Sequence, residues 1–186
     1  MNDSQVPVFI KGEIIDLLPL NSKNINLYVK WENTPNVRIY SRNIIPHTVE
    51  DMKKIFEPSK DRMKREIKFE VWHKKDKKSI GFGGVNDIDW YGQKGWLGLT
   101  IGEPEYWGQK IGEEVTRLMV EYAFSELNLY IIYADINSVN IGSWRCVEKN
   151  GFTREATFKK NAYVNGKRLD IFIYSLFKED WLENKK

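Results

Sequence analysis

One stretch of the chain limits its possible folds more than any other. Over residues 113–127, Val115, Leu118, Met119, Tyr122 and Ala123 recur at i, i+3, i+4, i+7 and i+8, the apolar stripe of an amphipathic helix. Glu113 and Glu114 open it, where acidic groups suit the positive end of the helix dipole. Residues 129–136 (LYIIYADI) follow at once as a continuous apolar run, the pattern of a strand covered on both faces. Residues 95–101 (GWLGLTI) read as a strand just before the helix. A strand–helix–strand unit whose second strand is buried on both sides needs helices on the sheet and excludes a plain bundle or sandwich.

The remaining elements fit around this unit. Residues 8–18 read as an opening hairpin around Gly12, and 21–31 as a helix opened by Asn21-Ser22. Pro35 and Pro46 bracket a loop, and 48–57 reads as a helix with Thr48 as N-cap and Asp51 at the capping-box position. The charged segment 60–78 reads as a solvated helix end, an alternating strand through Ile67, Phe69 and Val71, and a turn at Lys74–Lys78. Residues 79–88 continue as a strand and 91–94 as a turn. Residues 140–149 form a helix closed by Asn150-Gly151, and 158–164 with 170–176 form a hairpin around Asn165-Gly166. The expected fold is α/β with a mixed central sheet, one domain over residues 1–186.

Composition excludes several classes of function. Lys plus Arg number 29 against 26 Asp plus Glu, a net charge of +3 that does not indicate nucleic-acid binding. A basic RNA contact through 60–78 would need steeply salt-dependent binding. The longest stretch free of charge is Ile136–Trp144, far short of the roughly 20 residues that cross a membrane. The N-terminus lacks the pattern of a signal peptide, so a cytoplasmic protein is expected. Cys146 is the one cysteine and His47 and His73 the two histidines, so neither a disulfide nor a metal centre is expected. Monomer and homodimer both remain open.

The chemistry points to the loop between strand 95–101 and the strong helix, Gly102-Glu103-Pro104-Glu105-Tyr106-Trp107-Gly108-Gln109-Lys110-Ile111-Gly112. The first backbone N–H groups of a helix have no intrahelical partner and, with the dipole, make a seat for phosphate. Gly108 and Gly112 would let a ligand approach the backbone. Glu113 and Glu114 oppose an anion there unless their side chains turn outward. The loop is neither a Walker P-loop nor a Rossmann turn, since both glycine patterns are missing.

With Tyr106-Trp107-Gly108-Gln109-Lys110-Ile111-Gly112, Tyr122-Ala123-Phe124, the Asn140 and Ser143 pair, and Glu148-Lys149-Asn150-Gly151-Phe152 in this order, the chain resembles the GCN5-related N-acetyltransferase superfamily. It is closest to the branch that includes the ribosomal-protein alanine N-acetyltransferases. Trp31 with Asn33-Thr34-Pro35, and Tyr163 with Gly166 and Asp170, resemble that branch's flanking segments, so the likeness runs to Trp181. The resemblance implies a splayed central sheet flanked by helices. It implies acetyl-CoA as co-substrate, with its pantetheine arm on the backbone of Leu99, Thr100 and Ile101 and its pyrophosphate on the loop Trp107, Gly108, Gln109, Lys110, Ile111 and Gly112. Asn140 would bond the pantetheine arm with Ser143 on the same helix end, although Asn140 also reads as an N-cap and Ser143 as a small helix residue. Lys110 stands where the family usually has glycine. Val147 stands where many members place a tyrosine that protonates the leaving thiolate.

The implied reaction is direct attack of a neutral primary amine on the thioester, with no metal and no acyl-cysteine at Cys146. A strand N–H polarises the carbonyl, and a carboxylate acting through water takes the amine's proton. Glu103 is the first candidate for that base, with Asp87 and Glu105 behind it. The acceptor site is expected between the first helical region (Trp31, Arg38, Tyr40), 86–90 with Asp87 and Trp90, and Tyr163 of the last hairpin. The aromatic residues read equally as core. A protein α-amine leads as acceptor. An aminosugar, aminoglycoside or polyamine is the alternative, and a polycation would want an acidic groove that the sequence does not display. A non-catalytic CoA-binding sensor fits Val147 as well.

Overall fold

The computed structural model describes residues 7–41, 44–57 and 63–185. Eight strands form one mixed sheet: β1 (Ile10–Lys11), β2 (Ile15–Pro19), β3 (Ile67–His73), β4 (Lys78–Asp89), β5 (Lys94–Ile101), β6 (Ile131–Asn137), β7 (Thr153–Val164) and β8 (Lys167–Phe177). Their spatial order is β1-β2-β3-β4-β5-β6-β8-β7. All neighbours run antiparallel except β5 and β6. That parallel step is bridged by helix α4 (Ile111–Ser125), as the strand–helix–strand pattern requires. Helices α1 (Ile25–Asn33), α2 (Pro35–Ser41) and α3 (Val49–Lys53) precede the sheet's centre, and α5 (Ile141–Lys149) and α6 (Lys178–Glu183) follow α4. The splayed, mixed α/β sheet expected from the sequence is present.

Turn chemistry held where it is local. Asn165 and Gly166 both take positive φ (49° and 78°), the two left-handed positions of a tight hairpin turn. Thr48 and Asp51 form a reciprocal capping box on α3. Two expectations are corrected. The segment after Pro35 is helix α2 rather than loop, because Pro35 occupies the first helical position, where its missing N–H costs nothing. In the charged segment, residues 60–62 lie outside the described residues, and Met63–Glu66 carry no helix before β3 begins.

The core lies on the α4 face of the sheet. Val85, Ile132, Ala134 and Ile136 pack there with Val120, Phe124 and Val147, and Ile15, Phe69 and Val71 pack with Val115 and Met119. A smaller cluster of Tyr28, Trp31 and Met52 with Phe82 anchors α1 to the opposite face. There the buried Glu70 accepts hydrogen bonds from Tyr28, Ser79 and Asn24. No helix among the described residues is long and apolar enough to cross a membrane.

Candidate active site

The sheet splits at its parallel step. β5 and β6 pair only at Lys94↔Ile131, Gly95↔Ile132 and Trp96↔Tyr133. Beyond Trp96, β5 stays on β4 as far as Ile101 while β6 stays on β8 as far as Asn137, so the two strands part. The gap opens into a cleft of about 1040 Å³ lined by both strands, the loop before α4 and the start of α5. The N–H of Gly102 donates to the Ile80 carbonyl at 2.8 Å, which sets the alternation along β5. The backbone groups of Leu99 and Ile101 therefore point into the split, and those of Thr100 are spent on β4. Of the three residues expected to offer backbone bonds, all line the cleft, and Leu99 and Ile101 have backbone groups not taken up by β4. The Ile101 carbonyl already accepts the Trp107 indole N–H at 2.8 Å.

One end of the cleft suits an anion. Gly108 has φ +76° and Lys110 φ +62°, two left-handed residues that swing the chain into α4. Lys110 thus takes the conformation a glycine would favour, at a cost of about 1–2 kcal/mol. No side chain caps the helix at Lys110, so the N–H groups of its first turn remain for a ligand. The acidic pair at the helix start does not oppose this. Glu113 turns to Lys149 at 2.5 Å, and the buried Glu114 carboxylate accepts the N–H groups of Glu13 and Ile14 in the opening hairpin. Lys110, Arg145 and Lys149 also line this end. Gln109 is not among the lining residues, and its Nε2 donates back to the Glu105 carbonyl at 2.6 Å. Gly112 lines the cleft, and a Cβ added there would meet the protein's own atoms only at ordinary contact distance, 3.6 Å from Cys146 Sγ.

Asn140 caps α5, its Oδ1 accepting the Ser143 N–H at 3.2 Å, and both residues line the cleft. Val147 lies buried in the wall and has no proton to give. The Cys146 thiol sits 3.4 Å from Thr116 Oγ1, and burial pushes its pKa up, which keeps it neutral and a poor nucleophile.

The opposite end of the cleft differs from the expectation in most of its residues. Trp31 is fully buried and stacked near Phe82 at 6.2 Å between ring centroids, a core residue. Trp90 packs against the core and donates to the Lys64 carbonyl at 2.8 Å, outside the cleft. Tyr163 projects from the β7–β8 hairpin under Arg168, also outside it. Glu103 is withdrawn by Lys30 Nζ at 2.7 Å and Trp31 Nε1 at 2.8 Å. Partial burial would raise its pKa, but these two donors outweigh that and the net shift is downward, the wrong direction for a base. Glu105 pairs with Lys78 at 3.5 Å on the surface.

Of the expected acceptor region, Asp87 lines the cleft together with Tyr40 and Asn86. It sits in a β-bulge, where the register shifts between Asn86 and Asp89, with φ +47°. Bulges re-aim side chains, and this one leaves Asp87 exposed among the residues that line the cleft. Glu32, Glu66 and Asp135 line the cleft too. Asp87 was expected in the site, but the group as a whole does not show along the chain, because its members come from α1, the approach to β3, the bulge and β6. A second cavity of about 550 Å³ shares Glu32, Lys68 and Phe82 with the cleft and continues it between α1 and α3, with Leu20, Met52 and Ile55 as apolar walls. Finally, Asn137 at the end of β6 is 2% exposed, and neither its Oδ1 nor its Nδ2 has a partner among the described residues. Each such group costs about 1–3 kcal/mol if left unpaired.

A split parallel step with an uncapped helix start beside it and a cleft along both is the arrangement expected of an acyl-CoA transferase site. In keeping with this, the family model of the acetyltransferase (GNAT) domain matches residues 15–153. The chain belongs to that family and is an acetyl-CoA-dependent N-acetyltransferase. It is 30% identical over 178 residues to the "Probable N-acetyltransferase YjcK" of Bacillus subtilis, covering 92% of this chain and 98% of that protein. It is 26% identical over 83 residues to the spermidine N(1)-acetyltransferase of Escherichia coli, covering 45% of each. In fold it resembles the spermidine N-acetyltransferase of Vibrio cholerae solved with CoA and spermine, with a TM-score of 0.84 at 19% identity over 92% of this chain and 99% of that one.

Proposed function

We propose that the chain acetylates the α-amine at the N-terminus of a basic peptide or protein. The carrying observation is the lining of the cleft, where Lys110, Arg145 and the Lys149–Glu113 pair stand by the start of α4, while Glu32, Asp87, Asp135 and the Glu66–Lys68 pair come from the other elements. The basic end, with the N–H groups of the first turn of α4, suits the pyrophosphate of acetyl-CoA. Leu99 and Ile101 offer backbone bonds to its pantetheine arm, and Asn140 and Ser143 line the same wall. The acidic end draws a cationic acceptor. The adjoining apolar cavity receives a side chain next to the amine, which favours a peptide.

Asp87 takes the proton of the incoming ammonium through water, which frees the lone pair for attack. A strand N–H from Leu99 or Ile101 holds the developing oxyanion. Val147 offers no acid, so a proton relayed by water reaches the leaving thiolate. A linear polyamine is the second reading. The four carboxylates favour it, as does the likeness in fold to an enzyme solved with spermine. The test is thiol release from acetyl-CoA with a basic peptide bearing a free N-terminus, the same peptide blocked at its N-terminus, and spermidine. Turnover of the free peptide alone supports the first reading, and turnover of spermidine alone supports the second. No thiol release with any of the three removes both and leaves an aminosugar or aminoglycoside acceptor, or the sensor reading.

A further inference from the structure

Two asparagines stand three residues apart where β6 ends, and among the described residues only one makes a side-chain hydrogen bond. Asn140 spends its Oδ1 on the Ser143 N–H. Asn137, buried and lining the cleft, spends neither of its amide atoms. A buried carboxamide with no partner among the described residues calls for one that arrives with a ligand or an ordered water.

The register shows which part of a ligand it would meet. Trp96↔Tyr133 is the last pair of the β5–β6 ladder, and the same register carried four residues further sets Thr100 opposite Asn137 across the split. Ile132, Ala134 and Ile136 face the core beneath α4 and α5. Alternation therefore puts Asn137 on the other face with Asp135 and with Tyr133, which stacks on Trp96 at 5.1 Å between centroids. Asn137 thus stands in the buried wall of the split, across from the strand whose Leu99 and Ile101 groups point into it, and on the face that carries Asp135.

We infer that Asn137 is a recognition residue for the acetyl thioester: its Nδ2 donates to the thioester carbonyl oxygen from the side opposite the β5 backbone, and its Oδ1 accepts an N–H of the attacking amine. This rests on the transferase reading of the cleft. In the step it serves, the amine lone pair forms the new C–N bond while the carbonyl π pair moves onto oxygen. Collapse then breaks the C–S bond, and the proton lost from nitrogen ends on sulfur, giving the N-acetyl amide and free CoA thiol. A neutral side chain carrying one donor and one acceptor suits the thioester and the amine together, which a carboxylate or an aliphatic residue does not.

The test compares acetyl-CoA with CoA, which differ in the group that Asn137 is inferred to hold. Dissociation constants for both are measured by calorimetry on the wild type, Asn137→Leu and Asn137→Ala, with melting temperatures of the ligand-free proteins. In both variants, affinity for acetyl-CoA is expected to fall about three- to tenfold, the range for one lost hydrogen bond, with affinity for CoA unchanged. The ligand-free Asn137→Leu protein is expected to melt no lower than wild type, since it has lost two unpaired groups. Equal losses for both ligands, or for neither, overturn the inference. So does a lowered melting temperature with the wild-type affinity ratio, which assigns the amide a structural water only. A wild type that binds neither ligand overturns the transferase reading itself, an outcome distinct from the others.

Discussion

The two ends of the cleft are assembled differently. The backbone seat at the basic end comes from one continuous stretch, 99–112, in which a strand, a turn and a helix start follow one another, and it depends on left-handed backbone at Gly108 and Lys110, with Arg145 and Lys149 added from α5. The acidic end gathers Glu32, Glu66, Asp87 and Asp135 from four separated segments. The first needs only local rules, those of helix ends and turns. The second exists only once α1 has docked through Trp31 and Tyr28, and once β4 has bulged. Chemistry that depends on the backbone can be read along the chain, whereas chemistry that depends on distant side chains waits for the fold.

The sharpest way to break this contrast is at the acidic end. Asp87→Asn is expected to lower turnover at neutral pH about a hundredfold or more, the range for a lost general base, while CoA binding stays at wild-type strength. Turnover within threefold of wild type, with any acceptor the enzyme accepts, would remove Asp87 from that role.

At the basic end, two glycines that look alike in sequence should behave differently. Gly108→Asp forces a side chain into left-handed backbone and sets a negative charge beside the phosphate seat, and should weaken CoA binding about a hundredfold by calorimetry. Gly112→Ala adds a methyl group at ordinary contact distance and should change binding no more than about threefold. Equal losses at the two positions would show that the loop acts by steric room and not by backbone conformation.

The smallest effect is expected at Glu103. Its pKa is held below the ordinary 4.5. The stabilisation from Lys30 and Trp31 is therefore complete above that pH and is lost as pH falls through the depressed value. Glu103→Gln should keep turnover within about threefold and flatten the fall of the melting temperature on the acid side. A hundredfold loss of turnover would restore Glu103 as the base.

Much of this was legible in the sequence. The helix–strand unit at 113–136, the Thr48 cap and the Asn165-Gly166 turn follow from nearest-neighbour rules, and the structure carries all three. α2 was hidden because two prolines read as loop markers, although one of them starts the helix. Trp31, Trp90 and Tyr163 misled because an aromatic residue reads the same in a core, on a surface and in a site; only burial separates them. Glu103 stood at the right end of the right strand, but its partner Lys30 lies far away in sequence. Asn137 gave no signal, because a polar residue ending an apolar run looks like an ordinary strand end until its missing partners are noticed.

The most direct measurement is a crystal structure with CoA bound. The account predicts the pyrophosphate on the first-turn N–H groups of α4 beside Gly108, the pantetheine arm along Leu99 and Ile101 within the split, and the sulfur directed toward the mouth lined by Asp87 and Asp135. A CoA molecule whose pyrophosphate lies away from the α4 start, or whose sulfur points away from the acidic mouth, would contradict it.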